Sequence, residues 1–457
     1  METCPPESAQ DIAFGHQAPS GIIGVSFVSW PEGGQTVAGA PTDRGSTGGA
    51  ARSTGAARAA LSAGSAGAAG ALTATAGAAR VVARAAGSAA GSRAARRGGT
   101  VGLVGAAIAA GLIAERRAVR RHRAVPDLPE RERVGPIGGR VDLVVAVADG
   151  VPLYVEETPQ DPPPRPGTGS AAPTLVFVHG FCVNGDSWVF QYRALRDLGP
   201  MVFYDQRAHG RSGPSEAANC TIDQLAADLY QVLTERVPEG PIVLIGHSMG
   251  GMTILALAGE HPELFGDRVI GVALISTSAG DLPRVTFGLP ALITGGVRRV
   301  LPGLAVGMRS APSLFERARR RGSDFSWEIT RRIGFGSTDV PPSVVSFLET
   351  MVGDTPIAVM AAFMSTLLDH DKLDAAVNLR GTPTILLVGD GDLMTPLPHS
   401  LTLAELLPDA ELRVEEGAGH AIMLERPAAV NAAIRDLVER VRPPRRAPLR
   451  APDRVGP

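Results

Sequence analysis

The 457-residue chain predicts an α/β fold: a mostly parallel, eight-stranded sheet with helices on both faces and a helical insert late in the chain. Three observations carry this reading. Runs such as Thr174–Val178, Ile242–Ile245 and Val269–Ile275 are apolar throughout, as strands covered on both faces are. Helical spacing recurs between them; Ile222, Leu225, Leu229 and Leu233 fall on one face. A glycine-flanked serine turn, Gly246-His-Ser-Met-Gly250, joins an apolar strand to an apolar helix.

In chain order, Val141–Gly150 and Val151–Glu156 read as two strands joined at Asp149-Gly150, a strong hairpin pair. Pro159–Pro173 is rich in Pro and Gly and reads as loop. Thr174–Val178 is the third strand, followed by His179-Gly-Phe181. Met201–Tyr204 is the fourth, followed by Asp205-Gln-Arg-Ala-His-Gly-Arg-Ser212. A helix over Thr221–Leu233 leads to the strand Ile242–Ile245, the serine turn and a helix over Met252–Ala258. Val269–Ile275, Thr384–Val388 and Glu411–Val414 complete the eight strands.

Composition bounds the remainder. Residues 1–125 carry 13 Arg against 6 Asp plus Glu, although the whole chain has a net charge of −2. Arg, Ala and Gly abound while Lys is scarce, the mark of a GC-rich coding sequence, so the Arg excess is weak support for a nucleic-acid partner, and none is expected. Residues 1–125 form a low-complexity extension with too few large apolar side chains for a core. Its one membrane candidate is Val101–Ala114, flanked by Arg93, Arg96 and Arg97 and by the cluster Arg116–Arg123. Fourteen residues fall short of the roughly 20 that span a bilayer. The alternatives are a helix lying on an anionic membrane and a spacer or disordered extension, with the second favoured. Cys4, Cys182 and Cys220 form neither a disulfide framework nor a metal pair, which fits a reduced, cytoplasmic setting. No metal-binding, P-loop or dinucleotide motif stands in a suitable context, so no cofactor or metal is expected.

The chemistry centres on Ser248. A G-x-S-x-G turn between a buried strand and a helix holds its serine in strained dihedrals, clear of the sheet. A side chain at Gly246 or Gly250 would crowd the turn, and the Met249 N–H is left at a helix N-terminus, where an oxyanion forms. A nucleophilic serine needs a base, and the base an orienting acid. His420 ends a strand in a Gly-Ala-Gly-His loop that gives an imidazole room.

With these residues in view, the chain resembles the α/β-hydrolase superfamily over about residues 140–441. His179-Gly-Phe181, Asp205–Ser212, Gly246–Gly250, Gly389-Asp-Gly-Asp392 with Pro396, and Gly417-Ala-Gly-His420 follow one another in the family's order. The resemblance implies a Ser248, Asp392, His420 triad, with Asp392 at the family's Gly-x-x-Asp-x-x-x-Pro spacing and Asp390 as its rival. It makes the Phe181 N–H the second oxyanion donor and the Phe181 ring a pocket wall. His179 and His209 are read as structural, and Asp205 and Arg207 as turn anchors.

The resemblance also implies a helical cap in the insert at about residues 281–378, within a hydrolase domain at 126–442. Helical patterns over Ser343–Met351 and Ile357–Leu368 bring Val344, Phe347, Leu348, Met351, Met360, Phe363 and Met364. Any one of these is better read as cap core than as pocket lining. Nine arginines between Arg298 and Arg332 read as a solvated helix face, and 443–457 as a disordered tail. The expected activity is hydrolysis of a small carboxylic ester or related acyl compound through an acyl-enzyme. Thioester or carbon–carbon bond cleavage and cofactor-free haloperoxidase or perhydrolase chemistry are alternatives on the same triad. A silent scaffold would need a broken triad, and none is seen.

Overall fold

The computed structural model describes residues 116–145, 149–162, 172–282 and 323–442, with isolated positions at 303, 307, 310 and 313. The candidate membrane stretch 101–114, the C-terminal tail and the basic run between 298 and 321 lie outside the described residues, apart from those isolated positions.

Eight strands form one sheet: β1 (Arg140–Val145), β2 (Pro152–Thr158), β3 (Thr174–Val178), β4 (Met201–Tyr204), β5 (Ile242–His247), β6 (Val269–Ile275), β7 (Thr384–Gly389) and β8 (Glu411–Glu415). They lie in the order β1-β2-β4-β3-β5-β6-β7-β8. The pairs β1–β2 and β2–β4 are antiparallel and every other pair is parallel. Among the described residues, 116–122 are helical ahead of the sheet, and the later helices are α1 (Val189–Leu195), α2 (Ile222–Arg236), α3 (Met249–Glu260), α4 (Ser323–Gly334), α5 (Pro342–Asp354), α6 (Ile357–Leu368), α7 (Leu373–Ala376), α8 (Leu397–Leu406), α9 (Ile422–Glu425) and α10 (Pro427–Val441).

The uniformly apolar strands have a simple cause. Val176, Val178, Leu244, Val272 and Leu274 feed one core cluster together with residues of α2 and α3. Their neighbours Leu175, Phe177, Val243, Ile245, Ala273 and Ile275 feed a second cluster on the other face, with residues of α10. Side chains alternate along a strand, so a sheet covered on both faces needs an apolar residue at every position. Helix α3, behind the serine turn, is buried along most of its length; Ile254, Leu255 and Leu257 are inaccessible. Each such side chain contributes roughly 1.5–3 kcal/mol.

β1 and β2 form the antiparallel pair expected around Asp149-Gly150, although residues 146–148 of the connection lie outside the described residues. Among the described residues the last pair is Val145 opposite Pro152. The Asp149 carboxylate is drawn away to Arg207, 2.6 Å from Nη1, and to the Asn219 amide at 2.7 Å. Helix α3 begins at Met249, earlier than the apolar pattern indicates, because the serine itself is its N-cap. The two helices expected in the insert are present as α5 and α6, between β6 and β7. Arg331 departs from the solvated face expected for the basic run: it is buried, with Nη2 2.7 Å from Glu328 Oε1.

Candidate active site

Parallel register brings the loops together. Val178 of β3 pairs with Gly246 of β5, so the loop carrying Phe181 emerges beside the serine turn. Asp392 follows β7 and His420 follows β8, so these candidate residues all lie beyond the carboxyl ends of parallel strands, where open α/β sheets bind ligands.

Ser248 has φ 51° and ψ −118°, a left-handed conformation that an L-residue holds only under constraint. Its N–H donates to the Ile275 carbonyl at 3.0 Å, tying the turn to β6. The flanking glycines are required by contact. A Cβ on Gly250 would lie 2.1 Å from the Val178 carbonyl oxygen, and one on Gly246 would lie 2.7 Å from the Gly250 carbonyl oxygen. A Cβ on Gly180 would meet His247 Nδ1 at 2.7 Å and Ser248 Cβ at 3.2 Å, so the Phe181 loop packs directly against the serine turn. Among the described residues, neither the Phe181 nor the Met249 amide donates a hydrogen bond within the protein.

Asp392 and His420 form a buried pair. His420 Nδ1 lies 2.9 Å from Asp392 Oδ2 and 3.1 Å from Oδ1. The carboxylate also accepts from the Met394 N–H at 2.8 Å, the Thr395 N–H at 2.9 Å and the Thr395 hydroxyl at 2.9 Å. Burial pushes the Asp392 pKa up. The adjoining His420, as charge and as hydrogen-bond partner, and the two amides outweigh burial and hold the carboxyl well below the usual carboxylate range. Asp390 points elsewhere, accepting the Gly417 N–H at 2.6 Å. With Nδ1–H given to Asp392, the His420 Nε2 keeps its lone pair.

The remaining loop residues brace the site. Thr221 caps α2 by accepting the Gln224 N–H at 3.1 Å, and α2 presents Asp228, which grips the inaccessible Arg207 at 2.6 and 2.7 Å. Asp205 accepts the Gly185 and Arg211 amides at 2.7 and 2.8 Å. His179 accepts the Gln206 N–H on Nε2 at 2.8 Å and lies 2.7 Å from the Gly180 carbonyl through Nδ1. His209 Nδ1 lies 3.0 Å from the Arg207 carbonyl, and its ring packs 5.2 Å from Phe363 and 5.9 Å from Phe181. Burial, then the neighbouring His179, pushes the His209 pKa down to about 3, so it stands neutral at neutral pH.

A cavity of about 140 Å³ opens on Ser248. Phe181, Met252 and Leu282 line it together with Met394 and Thr395 of the loop that follows Asp392, and Met364, Leu367 and Leu368 of α6 complete the wall. Of the expected cap residues, Met364 faces the cavity, whereas Val344, Leu348, Met351 and Phe363 are buried in cores. Among the described residues, no cluster of three or more His, Cys, Asp or Glu side chains is arranged to hold a metal ion.

A model of the alpha/beta hydrolase family matches residues 175–433, more than half of the chain. The chain belongs to this family. A non-heme chloroperoxidase from Kitasatospora aureofaciens is 26% identical over 298 residues, covering 65% of this chain and 98% of that protein. Among solved structures, a thermophilic esterase from Thermogutta terrifontis aligns with a TM-score of 0.51 at 24% identity, covering 67% of this chain and all of the esterase. A bromoperoxidase from Bacillus anthracis aligns with the same TM-score at 18% identity, covering 66% of this chain and all of that one. These structures share the α/β-hydrolase fold, and the chain is an enzyme of that class.

Two residues of this α/β-hydrolase site escape a motif reading. Thr395 donates to Asp392, lies 3.3 Å from His420 Nδ1 and lines the cavity. His247 lies with Nε2 2.9 Å from the His420 carbonyl oxygen and its ring 4.8 Å from the His420 ring. Their only sequence signals are their places, three residues after Asp392 and one before Ser248.

Proposed function

We propose that this α/β-hydrolase is a serine hydrolase that cleaves a carboxylic ester of a small molecule through an acyl-enzyme on Ser248. The observation that carries the reading is the buried Asp392–His420 pair, with Nδ1 held at 2.9 Å, in the row of strand-end loops that also carries Ser248. His420 takes the Ser248 proton through Nε2 as the serine oxygen attacks the acyl carbon. The tetrahedral oxyanion then accepts the Phe181 and Met249 N–H groups, which no protein acceptor uses among the described residues. His420 returns the proton to the leaving alcohol, leaving an ester on Ser248. Water, deprotonated by His420, releases the acid and regenerates the serine. Asp392 stays ionised throughout, fixing the tautomer and balancing the imidazolium. The apolar cavity wall favours an uncharged acyl group.

Labelling with a fluorophosphonate probe tests the reading. Wild type should label and Ser248→Ala should not; folded wild type that fails to label, or labels elsewhere, defeats it. The chloroperoxidase relative supports a second reading, in which hydrogen peroxide takes the place of water and the acyl-enzyme releases a peracid that oxidises halide. Halogenation that needs both a carboxylic acid and Ser248 would favour it over simple hydrolysis.

A further inference from the structure

Residues 116–122 are helical, and the helix has two unlike faces. Val119 is buried, in the same apolar cluster as Trp327, Val344 and Leu348. His122 Nδ1 lies 2.9 Å from Glu328 Oε2. Just beyond the helix, Arg123 Nη1 lies 3.1 Å from Asp324 Oδ1, with its guanidinium 5.1 Å from the centre of a Trp327 ring. Asp127 accepts the Ser343 N–H at 3.1 Å. These contacts fix the helix against α4 and the start of α5, between β6 and β7.

The other face is basic. Arg116, Arg117, Arg120 and Arg121 are exposed. At 100° per residue their spacing of i, i+1, i+4 and i+5 places them within one arc of about 140°. Val119 and His122 fall on the opposite arc. None of the four arginines has an ion pair among the described residues. Val101–Ala114 precedes them in the sequence, fourteen residues without a charge.

We propose that this arginine face is a docking surface for a bilayer of anionic phospholipid, and that it sets the α4 side of the enzyme toward the membrane. Guanidinium groups match phosphate bidentately and are weakly hydrated, which suits a headgroup layer. An apolar stretch too short to span, followed by a basic cluster, supplies the two signals that stable surface anchoring takes. A nucleic acid is the poorer fit, because residues 90–121 contain no aromatic side chain on which bases would stack. The surface is independent of the bond that the enzyme cleaves.

The test is co-sedimentation of the full chain with vesicles of phosphatidylcholine, alone or with about 30 mol % phosphatidylglycerol. Wild type should bind the anionic vesicles at least about 100-fold more strongly, and the difference should shrink as salt rises from about 0.05 to about 0.5 M. A chain with Arg116, Arg117, Arg120 and Arg121 all changed to Gln should lose at least about 50-fold of that binding, with its thermal unfolding unchanged because the four side chains are exposed. Equal binding by the variant would overturn the proposal, as would wild type that ignores vesicle charge. Tighter binding of wild type to single-stranded RNA than to anionic vesicles at the same salt would overturn it in favour of a nucleic-acid partner.

Discussion

His247 Nε2 stands 2.9 Å from the His420 carbonyl oxygen, so the residue before the candidate nucleophile holds the loop of the candidate base. The carbonyl can only accept, so His247 donates from Nε2. Burial, then the adjoining His420, pushes the His247 pKa down to about 3, which keeps its ring neutral at neutral pH. His247→Phe keeps the ring and removes the donor; His247→Gln places an amide N–H close to the lost Nε2–H. The expected outcome is a fall of about 10- to 100-fold in kcat for Phe with KM little changed, largely restored by Gln, in steady-state assays on a chromogenic ester. Equal loss in both variants would point to packing alone.

The two carboxylates of the Gly389–Asp392 turn separate cleanly. Asp392 faces His420 at 2.9 Å, whereas Asp390 accepts the Gly417 amide. Asp392→Asn should lower kcat by about 10³- to 10⁴-fold, the scale seen when a serine-enzyme histidine loses its tautomer. Asp390→Asn should leave kcat within about threefold and cost about 1 kcal/mol of stability for a weakened hydrogen bond. Fluorophosphonate labelling rates and urea unfolding of both variants check the pair; similar kinetic losses in the two would reject the assignment.

Two glycines near the serine should fail in different ways. At Gly250, in the first turn of α3, an added Cβ meets the Val178 carbonyl oxygen at 2.1 Å, backbone of the central strand β3 that cannot give way. Gly250→Ala should not yield soluble folded protein. At Gly180 the clash is with the His247 ring and Ser248 Cβ, side-chain atoms that can shift. Gly180→Ala should fold, losing about 1–3 kcal/mol, while kcat falls at least about tenfold because the displaced atoms belong to the serine turn. Circular dichroism with single-turnover labelling separates these outcomes, and a fully active Gly180→Ala would contradict the packing.

The central strands were legible because a face-independent apolar run marks a strand covered on both sides, whereas β1, β2 and β8 carry charged residues and were read from β-branched content and their bounding turns. What sequence reading missed depends on partners far along the chain. Asp149 reads only as a turn residue, and nothing local shows that its carboxylate binds Arg207, 58 residues away. Arg331 looks solvated in a basic run and is buried against Glu328. Family spacing favours Asp392 over Asp390, but its contact with a histidine 28 residues on comes only from the geometry, as does the His247–His420 contact across 173. Spacing encodes faces and turns; it does not encode which of two neighbouring polar groups a distant loop will meet.

The cavity predicts a chain-length preference. Met364, Leu367 and Leu368 of α6 line the same cavity as Ser248. Met364→Ala deepens the cavity, and each additional buried methylene contributes about 0.8 kcal/mol, roughly fourfold. In a series of p-nitrophenyl esters, the optimum of kcat/KM should move to acyl chains longer by one to three carbons, about the length of the deleted side chain. Met364→Trp should move it toward acetate. Identical profiles for wild type and both variants would remove α6 from the acyl path.

Acid should destabilise the enzyme well above the carboxylate range. Burial is the leading cause that lowers the pKa values of His209 and His247 to about 3 and of His370 to about 4. Unfolded, each histidine binds its proton near pH 6.5, whereas the native state refuses it until the lowered value. The unfolded state therefore holds more protons between about pH 6.5 and 4, and stability falls as pH falls through that window, by up to about 1.4 kcal/mol per pH unit for each group. Asp186, Glu260 and Glu349, whose pKa values are raised mainly by burial, oppose this trend toward the acid end. The depressed Asp392 adds its own loss only below about pH 4. Urea unfolding at pH 7, 6 and 5 should show a falling midpoint, and unfolding near pH 5 should take up about two to three protons. A midpoint constant from pH 7 to 5 would mean that these rings are not held neutral in the folded protein.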